Sequence, residues 1–323
     1  MKKFVPGFVI NIHRFYAALC HSCRAMKTGR SGLFVGLFGL LLVVSAPVQA
    51  GSQVVLVSID GLRPDAITSS TAPFLTQFIR EGVYFPRAQA TLPSTTLPNH
   101  LSMVTGLSGE RHGLRVNKES TQGHTALPTI FSVIKQAGYS SSMYYGKRKL
   151  GYLAAPGDVA LVLGPGNESL GYSGTSASAL ARQFARNWPN RSDALTFMHF
   201  REPDKAGHRY AWMSPEYLQA VRESDRALSD VVEAVRRSDR KATTTIIVTA
   251  DHGGKGKKHW GEDSLEHRTI PWLAVGPGIA RGAVIARPIR IEDTAPTVLR
   301  LLGLAFTQPV EGVLIKELFP GKP

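Results

Sequence analysis

The sequence has 323 residues, a formal charge of +14, 43% hydrophobic residues and two cysteines. That length can carry one large domain with a full core. Both cysteines, Cys20 and Cys23, sit near the N-terminus, which excludes disulfide and thiolate chemistry from the rest of the chain.

The first 50 residues read as a segment of their own. "SGLFVGLFGLLLVVSAPVQA" (31–50) is an apolar run that ends in the small-residue pattern Val48-Gln49-Ala50. That is the layout of a signal-peptide core and its cleavage site, and the run is short for a membrane span. Cleavage after Ala50 is expected, giving a secreted or periplasmic mature chain with no stable membrane span. Met26, ahead of "KTGRSG", is the expected true start, because residues 1–30 are long for a positive leader region. An uncleaved N-terminal membrane anchor is the alternative. Six of the 38 basic residues and none of the 24 acids precede residue 51, which brings +14 to +8. An anionic substrate fits that excess, and so does a solvated basic surface.

Beyond residue 50, apolar β-branched runs alternate with helix-like stretches. "VVLVSI" (54–59) reads as a buried strand. "LPNHLSMVTG" (97–106) reads as a helix start, with Leu97, Leu101 and Val104 on one face and Pro98 in the first turn, where its missing N–H is tolerated. "TIFSVIKQAG" (129–138) reads as a helix, followed by a strand at 139–145. "LGPGNESLGYSGTSAS" (163–178) is loop-like, and a small cap around 146–180 is expected. "ALTFMHF" (194–200) is a strand. "SPEYLQAVRESDRALSDVVEAVRRS" (214–238) is a helix with Ser214 as N-cap and Pro215 at its first position. "TTTIIVTA" (243–250) and "PWLAVG" (271–276) complete the strands. The pattern predicts an α/β fold: a mostly parallel central sheet with helices on both faces, forming a single catalytic domain over 51–323.

Polar residues gather where the strands end. "VVLVSI" runs into Asp60, "TTTIIVTA" into Asp251 and His252, and "ALTFMHF" into Asp204 and His208, which are four residues apart. Ligands of open parallel sheets bind beyond the carboxyl ends of the strands. Asp and His together are zinc-type or mixed transition-metal ligands. Each fragment alone is a common turn or helix start; their convergence is what calls for a cation. His259 follows closely as one more donor. Thr96 stands at or beside the N-cap of the helix that opens at 97, among free N–H groups at the positive end of the dipole. A hydroxyl there, beside a metal ion, is a candidate nucleophile.

These residues resemble the alkaline phosphatase superfamily and, within it, the type I phosphodiesterase/nucleotide pyrophosphatase family. The resemblance covers nearly all of the chain beyond residue 50. It is carried by "VSIDGLRPD" (57–65), "TLPNHLSMVTGLSGERHG" (96–113), "PDKAGH" (203–208), "TADHGG" (249–254), "IPWLAVGPGI" (270–279) and "IEDTAPTVLRLLGL" (291–304). It implies two Zn²⁺ per chain. One would be held by Asp204, His208 and a late histidine, and the other by Asp60, Asp251, His252 and the Thr96 oxygen. The late histidine is His259, with His267 as the alternative, because Trp260 stands where the family usually has glycine. Asn117 matches the family's donor to the phosphoryl oxygen. His100 and His112 are expected to be structural, and His199 to border the site.

The implied function is an exported zinc hydrolase of phosphodiester or pyrophosphate bonds, acting on a small anionic phosphoester through a phospho- or nucleotidyl-threonine. No specific nucleic-acid partner is expected. A phosphomonoesterase or phosphonate hydrolase on the same scaffold is the alternative, since Lys147 and Lys149 resemble the phosphate-contacting pair of those relatives. A non-catalytic basic binding protein is the alternative outside enzymes, and nothing in it requires the Asp/His/Thr set. Tyr144, Tyr145, Tyr152, Tyr172 and Trp212 are candidates to stack a nucleobase.

Overall fold

The computed structural model describes residues 51–165, 175–261 and 263–319. The leader segment, Met26, Cys20, Cys23 and Tyr172 lie outside the described residues. Strands β1 (Gln53–Ile59), β2 (Val83–Gln89), β3 (Ser141–Tyr145), β4 (Leu161–Leu163), β5 (Leu195–Phe200), β6 (Thr244–Thr249), β7 (Thr269–Val275) and β8 (Ala283–Val284) form one sheet. Their order is β4-β3-β5-β1-β6-β7-β2-β8. Every pairing is parallel except those that β7 makes with β6 and β2. The expected mostly parallel sheet is therefore present, and the 271–276 stretch enters it as an antiparallel strand.

The centre of the sheet explains the apolar runs. All seven residues of β1 are buried, because β5 and β6 cover its edges and helices cover its faces. Strand β2, "VYFPRAQ", is absent from the sequence-based reading, and it carries a proline, Pro86, inside the strand. The sheet accommodates this proline at a register shift between Phe85 and Ala88, where no ladder N–H is required.

The helices are α1 (Pro73–Phe78), α2 (Thr96–Thr105), α3 (Gly109–His112), α4 (Ile130–Gln136), α5 (Ala177–Asn187), α6 (Glu202–Tyr210), α7 (Pro215–Arg236), α8 (Leu265–Arg268) and α9 (Thr294–Leu301). One group packs on α7, namely α1, α5 and α6; α2, α4 and α9 form the other. The α7 helix starts where its sequence predicts. The Ser214 side chain accepts the Tyr217 N–H, Pro215 occupies the first position, and Tyr217, Val221, Leu228, Val232 and Val235 form the buried stripe. The N-terminus of α1 has no cap of its own. Asp225 of α7 supplies one across the interface, accepting from the Phe74 and Leu75 N–H groups at 3.0 and 2.8 Å. The described part of 146–180 contributes a 3-10 turn over Arg148–Leu153, the strand β4 and the start of α5. Among the described residues no helix is long and apolar enough to cross a membrane.

Candidate active site

Because β1, β5 and β6 run parallel, their carboxyl ends bring Asp60, the start of α6 and Asp251 to one edge. The residue after Asp60 makes the close approach feasible. Gly61 has φ of +72°, and a Cβ there would lie 3.0 Å from the Asp204 Cα. The Gly61 N–H donates to Asp251 Oδ1 at 3.1 Å, and the Asp204 N–H donates to the Asp60 carbonyl at 3.0 Å. Three carboxylates are thus held side by side by backbone groups, and all three are buried.

Three imidazoles face them with the same tautomer. Nδ1–H of His252 donates to the Gly253 carbonyl at 2.8 Å, that of His259 to Ser94 at 2.5 Å and that of His208 to Lys257 at 3.0 Å. Each Nε2 lone pair is left for the site, the arrangement that orients metal-ligating histidines. His252 Nε2 lies 3.4 Å from Asp60 Oδ1 and 3.3 Å from Asp251 Oδ2. His259 and His208 Nε2 lie 3.7 and 3.2 Å from Asp204 Oδ1. Burial pushes the His259 imidazole down to about 2, with His252 adding to the effect, so it is a neutral donor at ordinary pH.

The carboxylates are under-satisfied. Asp60 Oδ1, Asp204 Oδ1 and Asp251 Oδ2 are buried and accept no hydrogen bond. Burial also drives the Asp251 carboxyl well above its ordinary range, and Asp60 reinforces it. Orphaned carboxylate oxygens beside neutral imidazole nitrogens fit metal ions of the zinc type. Two groups meet the geometry: Asp204, His252 and His259, and Asp60, Asp251 and His252. His252 belongs to both, and His208 stands beside the first. His267 is in neither group; its carbonyl accepts from Ser94 Oγ and from the Gly253 N–H, both at 2.8 Å. His267 therefore braces the segments that carry Ser94 and Gly253.

Thr96 and the lysines meet at the same place. Thr95 is the N-cap of α2 and makes no side-chain cap bond, so Thr96 is the first helical residue. Thr96 Oγ1 lies 3.5 Å from His252 Nε2 and receives a hydrogen bond from Lys147 Nζ at 3.2 Å. Lys147 also reaches Asp60 Oδ2 at 2.6 Å and Asp204 Oδ2 at 2.5 Å. Burial opposes the Lys147 charge, but Asp204 and Asp60 outweigh it and hold the ammonium above its ordinary range. Lys149 Nζ donates to Asn117 Oδ1 at 3.1 Å, and that oxygen also accepts the Leu97 N–H at 3.0 Å. Both donors assign the Asn117 oxygen, so its Nδ2 is the end left to donate. A solvated basic loop is thereby ruled out for the two lysines, whose side chains are 13% and 7% exposed.

The remainder of the "PNH" motif is scaffolding. Asn99 accepts the Thr91 N–H and donates to the Thr91, Pro93 and Thr95 carbonyls, pinning the approach to Thr96. His100 Nδ1 donates to the Thr96 carbonyl, and its Nε2 accepts from Ser58 Oγ, both at 2.8 Å. His112 Nε2 donates to the Pro98 carbonyl at 3.1 Å.

Two residues have larger parts than their sequence suggests. His199 accepts the Gly146 N–H at Nδ1 (3.2 Å) and donates from Nε2 to Asp60 Oδ2 (2.9 Å). It orients Asp60 and anchors the strand end that presents Lys147. The only sequence signal was a histidine inside an apolar strand. Trp212 is 5% exposed and donates to the Gly61 carbonyl at 2.9 Å. It is a packing wedge, not a platform for a base, and the same correction applies to Tyr144 and Tyr145, which are buried in the core. A Cβ on Gly254 would lie 2.2 Å from the Trp212 ring. Gly254→Ala is therefore expected to destabilise the fold by ~1–3 kcal/mol, read as a lowered urea midpoint with an unchanged denaturant slope.

The family model for type I phosphodiesterase / nucleotide pyrophosphatase matches residues 54–264, the span that carries Asp60, Thr96, Asp204, Asp251 and His259. The chain belongs to that family. Among curated members, it is 28% identical over 211 residues to the Xenopus laevis bis(5'-adenosyl)-triphosphatase enpp4, covering 62% of this chain and 47% of that one. It is 28% identical over 251 residues to the human ectonucleotide pyrophosphatase/phosphodiesterase family member 7, covering 70% and 54%. The chain thus spans about half the length of the curated phosphodiesterase-family relatives it matches. Among solved structures, human ectonucleotide pyrophosphatase/phosphodiesterase 5 aligns with a TM-score of 0.70 at 16% identity, over 83% of this chain and 100% of that one. The Agrobacterium radiobacter phosphonate monoester hydrolase aligns at 0.65 and 18%, over 84% and 78%. Both share the fold.

Proposed function

We propose that this protein is an exported hydrolase of phosphodiester or pyrophosphate bonds that uses two zinc ions and Thr96 as its nucleophile. The observation that carries the reading is the position of Thr96 Oγ1, at the N-terminus of α2 and against His252 and Lys147, beside three buried carboxylates with oxygens that accept no hydrogen bond. The ligands would be Asp204, His208 and His259 for one ion, and Asp60, Asp251, His252 and the Thr96 oxygen for the other. When bound, such ions withdraw charge from the phosphoryl oxygens and make the Thr96 hydroxyl easier to ionise.

The residues do the rest. The Thr96 oxygen attacks phosphorus in line, the O–P bond forms as the leaving oxygen departs and takes up the proton that Thr96 gives, and water then cleaves the phospho- or nucleotidyl-threonine, releasing the phosphorylated product and restoring the hydroxyl. Asn117 Nδ2 and the Thr96 N–H are donors for the equatorial oxygens, since the Leu97 N–H is taken by Asn117 Oδ1 and residue 98 is proline. His199 and the Gly61 N–H hold the Asp60 and Asp251 carboxylates in place.

A phosphomonoesterase or phosphonate hydrolase is the second reading, favoured by Lys147 and Lys149 lying inside the site. A monoester brings about one more negative charge than a diester near neutral pH, and a buried ammonium offsets it. The test compares an aryl phosphate with its methyl diester, in zinc-loaded and chelated enzyme and in Lys147→Ala/Lys149→Ala. The proposal expects zinc-dependent diester cleavage to exceed monoester cleavage. A monoester preference that disappears selectively in the double variant would replace it with the second reading. No turnover of either ester would remove both.

A further inference from the structure

The loop that follows β6 turns back on itself beside the site. The Lys255 and Lys258 N–H groups donate to each other's carbonyls at 2.9 and 3.1 Å, and Gly256, at φ of +55°, stands in the turn. The loop is pinned by α6 and the chain just past it. His208 Nδ1 donates to the Lys257 carbonyl at 3.0 Å, and the Trp212 N–H donates to the Gly256 carbonyl at 2.7 Å. The loop is therefore a fixed projection, and its side chains mix positive charge with exposed apolar groups. Lys255, Lys257 and Lys258 are exposed. Lys255 meets Glu266 at 3.6 Å, whereas among the described residues Lys257 and Lys258 have no carboxylate partner. Trp260 is 46% exposed, with its ring centroid 5.2 Å from that of His208 and 4.7 Å from that of His259. Leu265, one residue before Glu266, is 66% exposed, and Tyr210, between the two residues that pin the loop, is exposed as well.

We infer that this rim is a docking surface for an anionic lipid bilayer, with Trp260 entering the headgroup layer and Lys257 and Lys258 facing its negative charge. Indole and phenol rings settle where hydrocarbon meets water, and lysines beside them add attraction to anionic headgroups. Leu265 favours a lipid layer over other polyanions. Its aliphatic side chain gains from contact with acyl chains, whereas a single-stranded nucleic acid uses only lysines and rings. Because Trp260 packs on His208 and His259, docking sets the Asp204–His208 edge of the site against the headgroups. The docking surface stands apart from the catalytic reading, since Trp260, Lys257 and Lys258 take no part in phosphoryl transfer.

Tryptophan emission tests this directly. The chain has four tryptophans, and Trp188, Trp212 and Trp272 are buried, so Trp260 is the ring that a bilayer can reach. The full chain is titrated with vesicles of phosphatidylcholine, alone or mixed with phosphatidylglycerol, with bromine on the acyl chains as the quencher. Whatever the N-terminus contributes is the same in every variant. Quenching and a blue shift are expected with the anionic vesicles, at about tenfold less lipid or lower than phosphatidylcholine alone requires. In Lys257→Gln/Lys258→Gln the half-maximal lipid concentration should rise about tenfold or more, and in Trp260→Phe the quenching should disappear. Arg237→Gln/Lys241→Gln removes the same charge from exposed positions ahead of β6, at the far end of that strand from the site, and should leave the titration as it is. No quenching by anionic vesicles, equal quenching by both kinds, a response that persists in Trp260→Phe, a midpoint unchanged in the lysine variant, or an equal rise in the remote variant would overturn the surface. Quenching by an oligothymidylate where anionic vesicles give none would replace the lipid layer with a nucleic acid.

Discussion

Thr96→Ala is expected to reduce diester turnover by about 10³-fold or more while the protein stays folded and retains most of its zinc. The hydroxyl has two partners at the site, Lys147 and His252, and neither depends on it for its place in the fold. Lys147 remains held by Asp60 and Asp204, and His252 by the Gly253 carbonyl. The control is the adjacent residue. Thr95 Oγ1 is buried without a hydrogen bond and caps nothing, so Thr95→Ala removes a methyl and an idle hydroxyl. It should cost far less than Thr96→Ala in kcat. Equal losses from the two substitutions would show that the nucleophile has been placed on the wrong threonine.

Zinc analysis of purified variants is expected to separate the two ligand groups. The wild type should hold about two zinc ions per chain, as two clusters of Asp and His donors can. Asp251→Ala and His259→Ala should each reduce this to about one, from different groups. His252→Ala should, like Asp251→Ala, reduce it to about one, because both belong to the group that includes Asp60. His267→Ala should keep its zinc, since His267 joins neither group. Retention in His259→Ala together with loss in His267→Ala would overturn the assignment of the late ligand. Chelation should lower the melting temperature of the wild type as well. A metal at 100 times its Kd adds ~2.7 kcal/mol to the folded state, and its removal leaves three buried carboxylates facing one ammonium.

Much of the site could be read because the fold places chemistry at a predictable edge. A strand buried on both faces must be apolar along its length, so Asp60, Asp251 and the Asp204/His208 pair stand out where β1, β6 and β5 stop. A parallel arrangement then sends those ends to one side. The α2 start was legible for a similar local reason: a hydroxyl ahead of an apolar stripe, with proline in the first turn. Local rules erred where tertiary packing overrode them. Strand β2 was not read from the sequence, and a register shift in the sheet accommodates its Pro86. Tyr144, Tyr145 and Trp212 had the composition of a binding platform and are core residues.

The sequence by itself determined the fold class, the strand-end acids and the identity of the threonine-bearing helix, since these follow from periodicity and position along the chain. Only the tertiary structure places His259, and not His267, beside Asp204 and His252, because a ring's reach depends on which carbonyl holds its Nδ1. For His259 that carbonyl belongs to Ser94, in the segment leading into α2. The tertiary structure likewise brought Lys147 to Thr96 and set His199 between Gly146 and Asp60. Those contacts join residues 51, 53 and 139 positions apart. No local pattern encodes them, because each exists only when neighbouring strands have paired in register and their ends have converged.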